Sequence, residues 1–577
     1  MSDHRSEPIS TAMSDPQHAQ PNGSASGSTE TPDNNHNDNN NNNEKSDGLP
    51  GADQAAALDP AKQTRTADGK RVLSEDDAEE ALSFGLPEWR KWLILVIILL
   101  IQTSMNSNAS MYGFAVDNLA TKYDVTPEAA RLGQMAFLVA YAFGCGELTI
   151  VVIVPPELWA PWSEEIGRWP TQQASLFLVN IWQISSALSP TFGGVLVSRI
   201  LGGLSTSGGS VTLGVIADMY RPEDTGFQYA VAFVILSSVG GSPAGAVIGG
   251  FVGQYRSVEW IFWTLLIMGG IVQATHFFLV PETNPFILLD REAKKRRKNG
   301  QEEVYGPNEV KEKRFSLKET GKIWWRPYFM LLTEPIVIWL SLLSGFSDML
   351  VFVFLEAFTP IFEQYGFETY QIGLAFMGTI VAYIIAYLTY LPVIWHHNKT
   401  RKSRLWWLLW LAPLLPLGLF GFAWTSFGPD RSHWIAPIVF AAVIGIANYG
   451  VYKSSIDYML AAYGPFGASA TGGNDFARDF LAGIAALYAH PFYENVGPKE
   501  YHLVYPSTIL ACMGVLFIIP IYVFYWKGPQ IRLRSKFAQE LEKARQERLA
   551  RKKRRRSSAA AGEKSSSGQP VRHVEDV

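Results

Sequence analysis

The chain has 577 residues, of which 47% are hydrophobic and 13% aromatic. Only 18% are charged, against roughly 25% in an ordinary soluble globular protein. The net charge of −4, with its basic run confined to the C-terminal end, gives no case for nucleic acid, and two cysteines, Cys145 and Cys512, offer neither metal spacing nor a disulfide framework.

Residues 1–87 are polar and low in complexity, with the run NNHNDNNNNNEKSD, and hold too little apolar surface to fold. They contain no apolar core of a signal peptide, so a disordered cytosolic tail is expected. Beyond them come apolar runs near 20 residues, the length a helix needs to cross about 30 Å of hydrocarbon. Six are expected near 91–113, 131–162, 172–191, 194–219, 227–252 and 260–280, forming an N-terminal bundle over 88–280. Residues 281–328, with DREAKKRRKNGQEEVYGPNEVKEKR, are too charged for lipid and read as a cytosolic central loop. Six more spans are expected near 329–355, 370–394, 405–427, 434–461, 466–490 and 506–526, a C-terminal bundle over 329–526. Residues 527–577 form a basic tail. The fold class is therefore all-α and integral to the membrane, with twelve transmembrane helices in two six-helix bundles. With both termini cytosolic, the short inner loops carry eighteen Lys and Arg and the outer ones five, which favours that orientation.

Charge and glycine interrupt this pattern at chosen places. WSEEIGRWP, after the second span, sets Glu164, Glu165, Gly167 and Arg168 in a tight turn at the membrane edge. In LVSRILGGLSTSGGS, Arg199 lies inside an apolar run, where an ionised group normally faces a cavity or a partner. In GSPAGAVIGG, Gly241, Gly245 and Gly249, with Gly250 beside them, make a smooth helix face, and Pro243 can bend it. A charged membrane border, a snorkelling Arg and plain helix packing are the structural alternatives.

These three stretches, in this order, resemble motifs of the major facilitator superfamily. The loop is similar to the family's gating loop between spans two and three, with Glu164 in the place of its acid. Ala160 stands for the first Gly, and Trp169 for a second basic residue. Arg199 falls at the Arg of a motif linked to proton coupling. The fifth span resembles the antiporter signature Gly-x-x-x-Gly-Pro-x-x-Gly-Gly, with Ala246 in place of its Pro. VPETNPFILLD, FLEAFTPIF, WIAPIVFAAVIGIANYG and ASATGGNDFARDFLAG look like fungal twelve-span drug:proton antiporters, a branch that includes polyamine carriers. The resemblance covers roughly 88–535.

Further site candidates follow from intramembrane charge. Asp348 and Glu356, two turns apart on the seventh span, are proton-coupling candidates with Arg199 and, if the second span is built as in the family, Glu157. Asn474, Asp475 and Arg478 on the eleventh span, with Tyr449 and Phe346, are expected at the substrate cavity. On this spacing Asn474 and Arg478 share a face, as do Asp475 and Asp479. Gly146–Pro156 lengthens the second span beyond what a bilayer needs and reads as an insertion, from a mis-set exon boundary or a broken helix.

The expected function is proton-coupled export of amphipathic or cationic organic molecules by alternating access. Polyamine or other organic-cation transport is the near alternative, and a channel or receptor the distant one. No enzyme pattern stands out. The expected partners are a small-molecule substrate, protons and the bilayer; a monomer is expected, with no cofactor, the proton gradient supplying energy. The plasma membrane, or alternatively the vacuolar membrane, is the expected location.

Overall fold

In hydrocarbon no water satisfies backbone N–H and C=O groups, so apolar runs fold as helices that pair these groups internally. The computed structural model describes residues 71–145, 163, 166–206, 208–221, 224–300, 304–310, 317–400, 405–532, 537 and 539, all within one unit, Leu49–Val577. The first half contains α1 (Glu88–Gly113), α2 (Val116–Tyr123), α3 (Pro127–Cys145), α4 (Arg168–Leu188), α5 (Phe192–Leu204), α6 (Gly208–Met219), α7 (Thr225–Tyr255) and α8 (Glu259–Leu279). The linker carries α9 (Pro285–Lys298), begun by a proline and capped by the Asn284 side chain, which accepts from the Phe286 and Ile287 amides.

The second half contains α10 (Leu317–Thr333), α11 (Pro335–Glu363), α12 (Thr369–Ala375), α13 (Met377–Thr400), α14 (Trp406–Leu411) and α15 (Leu414–Thr425). It ends with α16 (Ile435–Tyr463), α17 (Gly467–Asn495) and α18 (Val504–Arg532). Pro335 and Pro413 stand at breaks between helices, where a proline's missing N–H costs least. Pro243, by contrast, sits inside α7, which continues past it.

Among the described residues, eight helices are long and apolar enough to span a membrane: 88–113, 225–255, 259–279, 335–363, 369–396, 406–425, 435–463 and 504–528. The other four expected spans differ for local reasons. Residues 192–219 divide into α5, which ends at Leu204, and α6, which begins at Gly208. The third span, α4, carries Gln172, Gln173, Asn180 and Gln183, and α17 carries Asp475, Arg478 and Asp479. The second is seen as α3, which begins at Pro127; Gly146–Pro156, Glu157, Glu164 and Glu165 lie outside the described residues.

Within the first half α1 packs on α7, α3 on α5 and α4 on α8; within the second, α11 packs on α17, and α16 on α13 and α15. The halves meet where α3 lies along α17 and where α7 lies along α12 and α13. Ahead of α1, β1 (Arg71–Val72) pairs in parallel with β2 (Val304–Tyr305) of the linker. Leu73, Ala78 and Leu82 bury themselves against Leu289, Ala293 and Val304, so the segment before the first span is tied to the linker after the sixth.

Candidate functional site

Buried charged groups gather at the end of the molecule next to the linker, at the middle of the contact between halves and, as one pair among the described residues, at the end away from the linker. At the linker end, Arg168 opens α4. Its Nε donates to Asp218 at 2.9 Å and its Nη1 to Ser163 Oγ at 2.5 Å. Glu282, just past α8, accepts the backbone N–H groups of Arg168 at 2.8 Å and Trp169 at 3.3 Å. It also accepts those of Thr283 at 3.0 Å and Asn284 at 2.9 Å. One carboxylate thus satisfies the exposed amides where α4 and α9 both begin, the place where a helix dipole favours negative charge. Gly167 completes the turn at φ 121°, a conformation L-residues rarely adopt, and a Cβ there would run into the Glu282 carboxylate. The turn read from WSEEIGRWP is therefore clamped by Asp218 and Glu282. Their spacing from the turn gives neither a visible role in the sequence, although Glu282 belongs to the quoted VPETNPF.

Arg199 is buried among α1, α3 and α5. Its Nη2 donates to the Asn108 carbonyl at 2.9 Å and its Nε to that of Gly133 at 3.3 Å, while the guanidinium lies 4.7 Å from the Tyr112 ring centre and 4.1 Å from that of Phe137. It knits three helices of one half together.

The glycines of α7 divide by direction. Added Cβ atoms at Gly241 and Gly245 would meet the α1 backbone at Thr103 and Ser107, and one at Gly249 would meet Met111. One at Gly250 would instead meet Gly373 and Thr369 of the other half at 3.0 Å. The same stretch therefore closes a bundle and joins the two.

At the middle, α11 and α17 bring Asp348 and Arg478 together at 2.8 Å. Arg478 Nη1 lies 3.9 Å from Asp475, and its guanidinium covers the Tyr452 ring at 3.6 Å. The Tyr452 hydroxyl donates to Asp475 at 3.0 Å. Gln102, Asn106, Tyr141 and Ser238 of the first half and Tyr452, Asp475, Arg478 and Asp479 of the second line a cavity of about 20 Å³. That is room for about one water molecule, which needs roughly 10–15 Å³. The halves are closed on each other at this point.

Several expected neighbours part company here. Asn474 is buried beside this cluster, but Arg478 turns to Asp348 and Asp475. Glu356 does not join Asp348; it accepts from Arg131 Nε at 3.0 Å, at the end of the molecule away from the linker. Phe346 packs on Phe517 of α18, inside the second half, not at the cavity, because its face of α11 points away from α17. Tyr449 reaches across the halves toward the linker end, donating to the Ala232 carbonyl at 2.8 Å. Lys453 and Asp457, a turn apart on α16, pair with each other in the buried interior, and the Tyr390 hydroxyl donates to Asp457 at 2.8 Å. Gln102, Asn106 and Ser238 escape sequence reading because uncharged polar residues on a span carry no signal of which way they face.

Two helical halves closed over a buried charged cavity, with a charge-clamped turn at one end, are the architecture of a secondary transporter. The sequence model of the Major Facilitator Superfamily matches residues 96–487, and the chain belongs to that family. "Transporter mfs1" of Schizosaccharomyces pombe is 29% identical over 80% of this chain and 87% of its own. "MFS-type transporter kojT" of Aspergillus flavus is 30% identical over 78% of this chain and 79% of its own. "Probable drug/proton antiporter YHK8" of Saccharomyces cerevisiae is 29% identical over 84% and 94%. Among solved structures, a D-xylose-proton symporter superposes with a TM-score of 0.52 at 15% identity, covering 76% of this chain and 97% of that one; this likeness concerns the fold. The chain is a multi-pass membrane transporter of fungal type rather than an enzyme.

Proposed function

We propose that this transporter is a proton-driven antiporter that exports small cationic or amphipathic organic molecules across the plasma membrane, with both termini in the cytosol. The observation that carries the reading is the charge set at the cavity: Asp475, Asp479 and Arg478 line it, and Arg478, the one cation among them, is paired with Asp348 behind it and lies 3.9 Å from Asp475. Uncompensated charge is costly away from water, so the surplus carboxylates call for protons or for a cationic substrate. Occupancy by one disfavours occupancy by the other, which is the condition for exchange. The names of the relatives support a drug-exporting role, and the surplus acid supports cations, polyamines among them. The linker-end turn held by Arg168, Asp218 and Glu282 serves as the cytosolic gate.

Efflux of preloaded radiolabelled spermidine and of an azole from yeast stripped of its own pumps tests this. Loss of either compound should require the chain and collapse with a protonophore, and Asp475→Asn should abolish it. Efflux that ignores the gradient, or survives both Asp475→Asn and Asp479→Asn, would overturn the reading. Loss of spermidine alone would place the chain with polyamine carriers.

A further inference from the structure

At the end away from the linker, one ion pair among the described residues joins the two halves. Arg131 near the start of α3 and Glu356 on α11 meet at 3.0 Å, with side chains only 7% and 10% exposed. A charge pair this dry is satisfied only while its helices stay together, because separating them leaves each charge to find water or another partner. The surrounding contacts close the same end. Gly250 of α7 abuts Gly373 at the α12–α13 side, and Phe251 and Tyr255 both pack on Tyr370, at 5.6 and 5.8 Å between ring centres. These are apolar, close-packed surfaces that can part without a charge penalty. The pair is the element among them that a proton can switch off.

We propose that Arg131–Glu356 is the latch of the end opposite the linker, the outer end on the topology proposed above, and that protonating Glu356 releases it. Its role is distinct from that of the cavity carboxylates: it sets how readily this end opens, not how many protons move per substrate. The groups that bear on Glu356 are Arg131 from α3, His490 from α17 and Asp117 from α2. His490 itself lies 3.5 Å from Glu494, and Glu128 lies within the field of both Arg131 and His490. Arg131 keeps one guanidinium nitrogen, Nη1, buried without a hydrogen-bond partner, so the pair is held through a single hydrogen bond, and neutralising Glu356 removes the counter-charge that the buried guanidinium depends on. The latch rests on the reading of the chain as an alternating-access carrier.

The test uses the full chain in lipid nanodiscs, with both faces in buffer and no substrate or gradient, so its outcome is separable from that of the efflux assay. Cys145 and Cys512 are replaced by Ala. Ala109→Cys, buried among residues of both halves on the latch side, then reports opening there, and Ala232→Cys reports the linker end. Glu356→Gln should speed labelling of the Ala109 reporter by a charged thiol reagent about tenfold and leave the Ala232 reporter unchanged. The exchanged pair Arg131→Glu with Glu356→Arg should restore the slow rate, which a misfolded protein would not do. Lowering the pH from neutrality toward the carboxylate range should speed labelling of the unaltered latch, after correction for thiol reactivity, and have no effect on Glu356→Gln. Equal labelling of Glu356→Gln and the parent would overturn the latch. A pH response abolished by His490→Gln but kept by Glu356→Gln would overturn Glu356 as its switch.

Discussion

Glu282 shows how much one side chain can hold. Its carboxylate accepts four backbone amides that belong to the beginnings of two helices, and those amides have no intrahelical partner to fall back on. Hydrogen bonds to a charged acceptor contribute about 1.5–3 kcal/mol each at most, and they are not additive when shared by one group. Glu282→Ala should therefore destabilise the purified protein by about 2–3 kcal/mol and impair efflux, while Glu282→Gln, which keeps an acceptor oxygen, should cost less. Thermal unfolding of the two variants beside the parent checks the order; an alanine variant as stable as the parent would show the amides are served otherwise. Arg199 makes a parallel point. Its two carbonyl acceptors come from different helices, so the residue that sequence assigns to coupling also holds a bundle together.

At the scale of the helix, α7 owes its two faces to a register of glycines. A side chain at Gly245 would collide with Ser107 Cα, 2.7 Å from the added Cβ, inside a tightly packed pair of helices. At Gly250 the obstacle is the backbone of the other half. Gly245→Val should therefore reduce the yield of folded protein, because α1 cannot yield without unpacking its bundle. Gly250→Val should fold and instead hold the end opposite the linker open, seen as faster labelling of the Ala109→Cys reporter. Comparable folded yields for the two variants would refute this division. The spacing of these glycines is legible in GSPAGAVIGG; which neighbour each one meets is not, since a helix rotation of one residue would exchange them.

The molecule as a whole is fastened outside the membrane as well. Glu309 receives both terminal nitrogens of Arg297, at 2.6 and 2.7 Å, beside β2. These hydrogen bonds hold its carboxyl below the usual carboxylate range. A group so lowered contributes its stability above its ordinary value of about 4.3 and loses it as pH falls through the lowered one. Exchange of the Leu73 amide, which donates to the Tyr305 carbonyl at 3.0 Å, follows this staple. Corrected for intrinsic rate, its protection should be flat from about pH 7 to 5 and drop only below the ordinary carboxylate range, and Glu309→Gln should flatten the curve at the lower level. A curve that changes between pH 7 and 5 would point to another titrating group.

What the sequence determined by itself was cumulative and local: apolar runs of bilayer length, charge kept to loops, glycines at a four-residue spacing and an ordered set of motifs that point to one family. Hydrophobicity adds along a segment, so spans can be read without knowing their neighbours. The choice of partners was left to tertiary structure. Arg131 finds Glu356 across 225 residues and Arg478 finds Asp348 across 130, partners that spacing along one helix does not reveal. Sequence specifies that a buried charge needs a counter-charge; the rotation and depth at which helices pack decide which charge it meets.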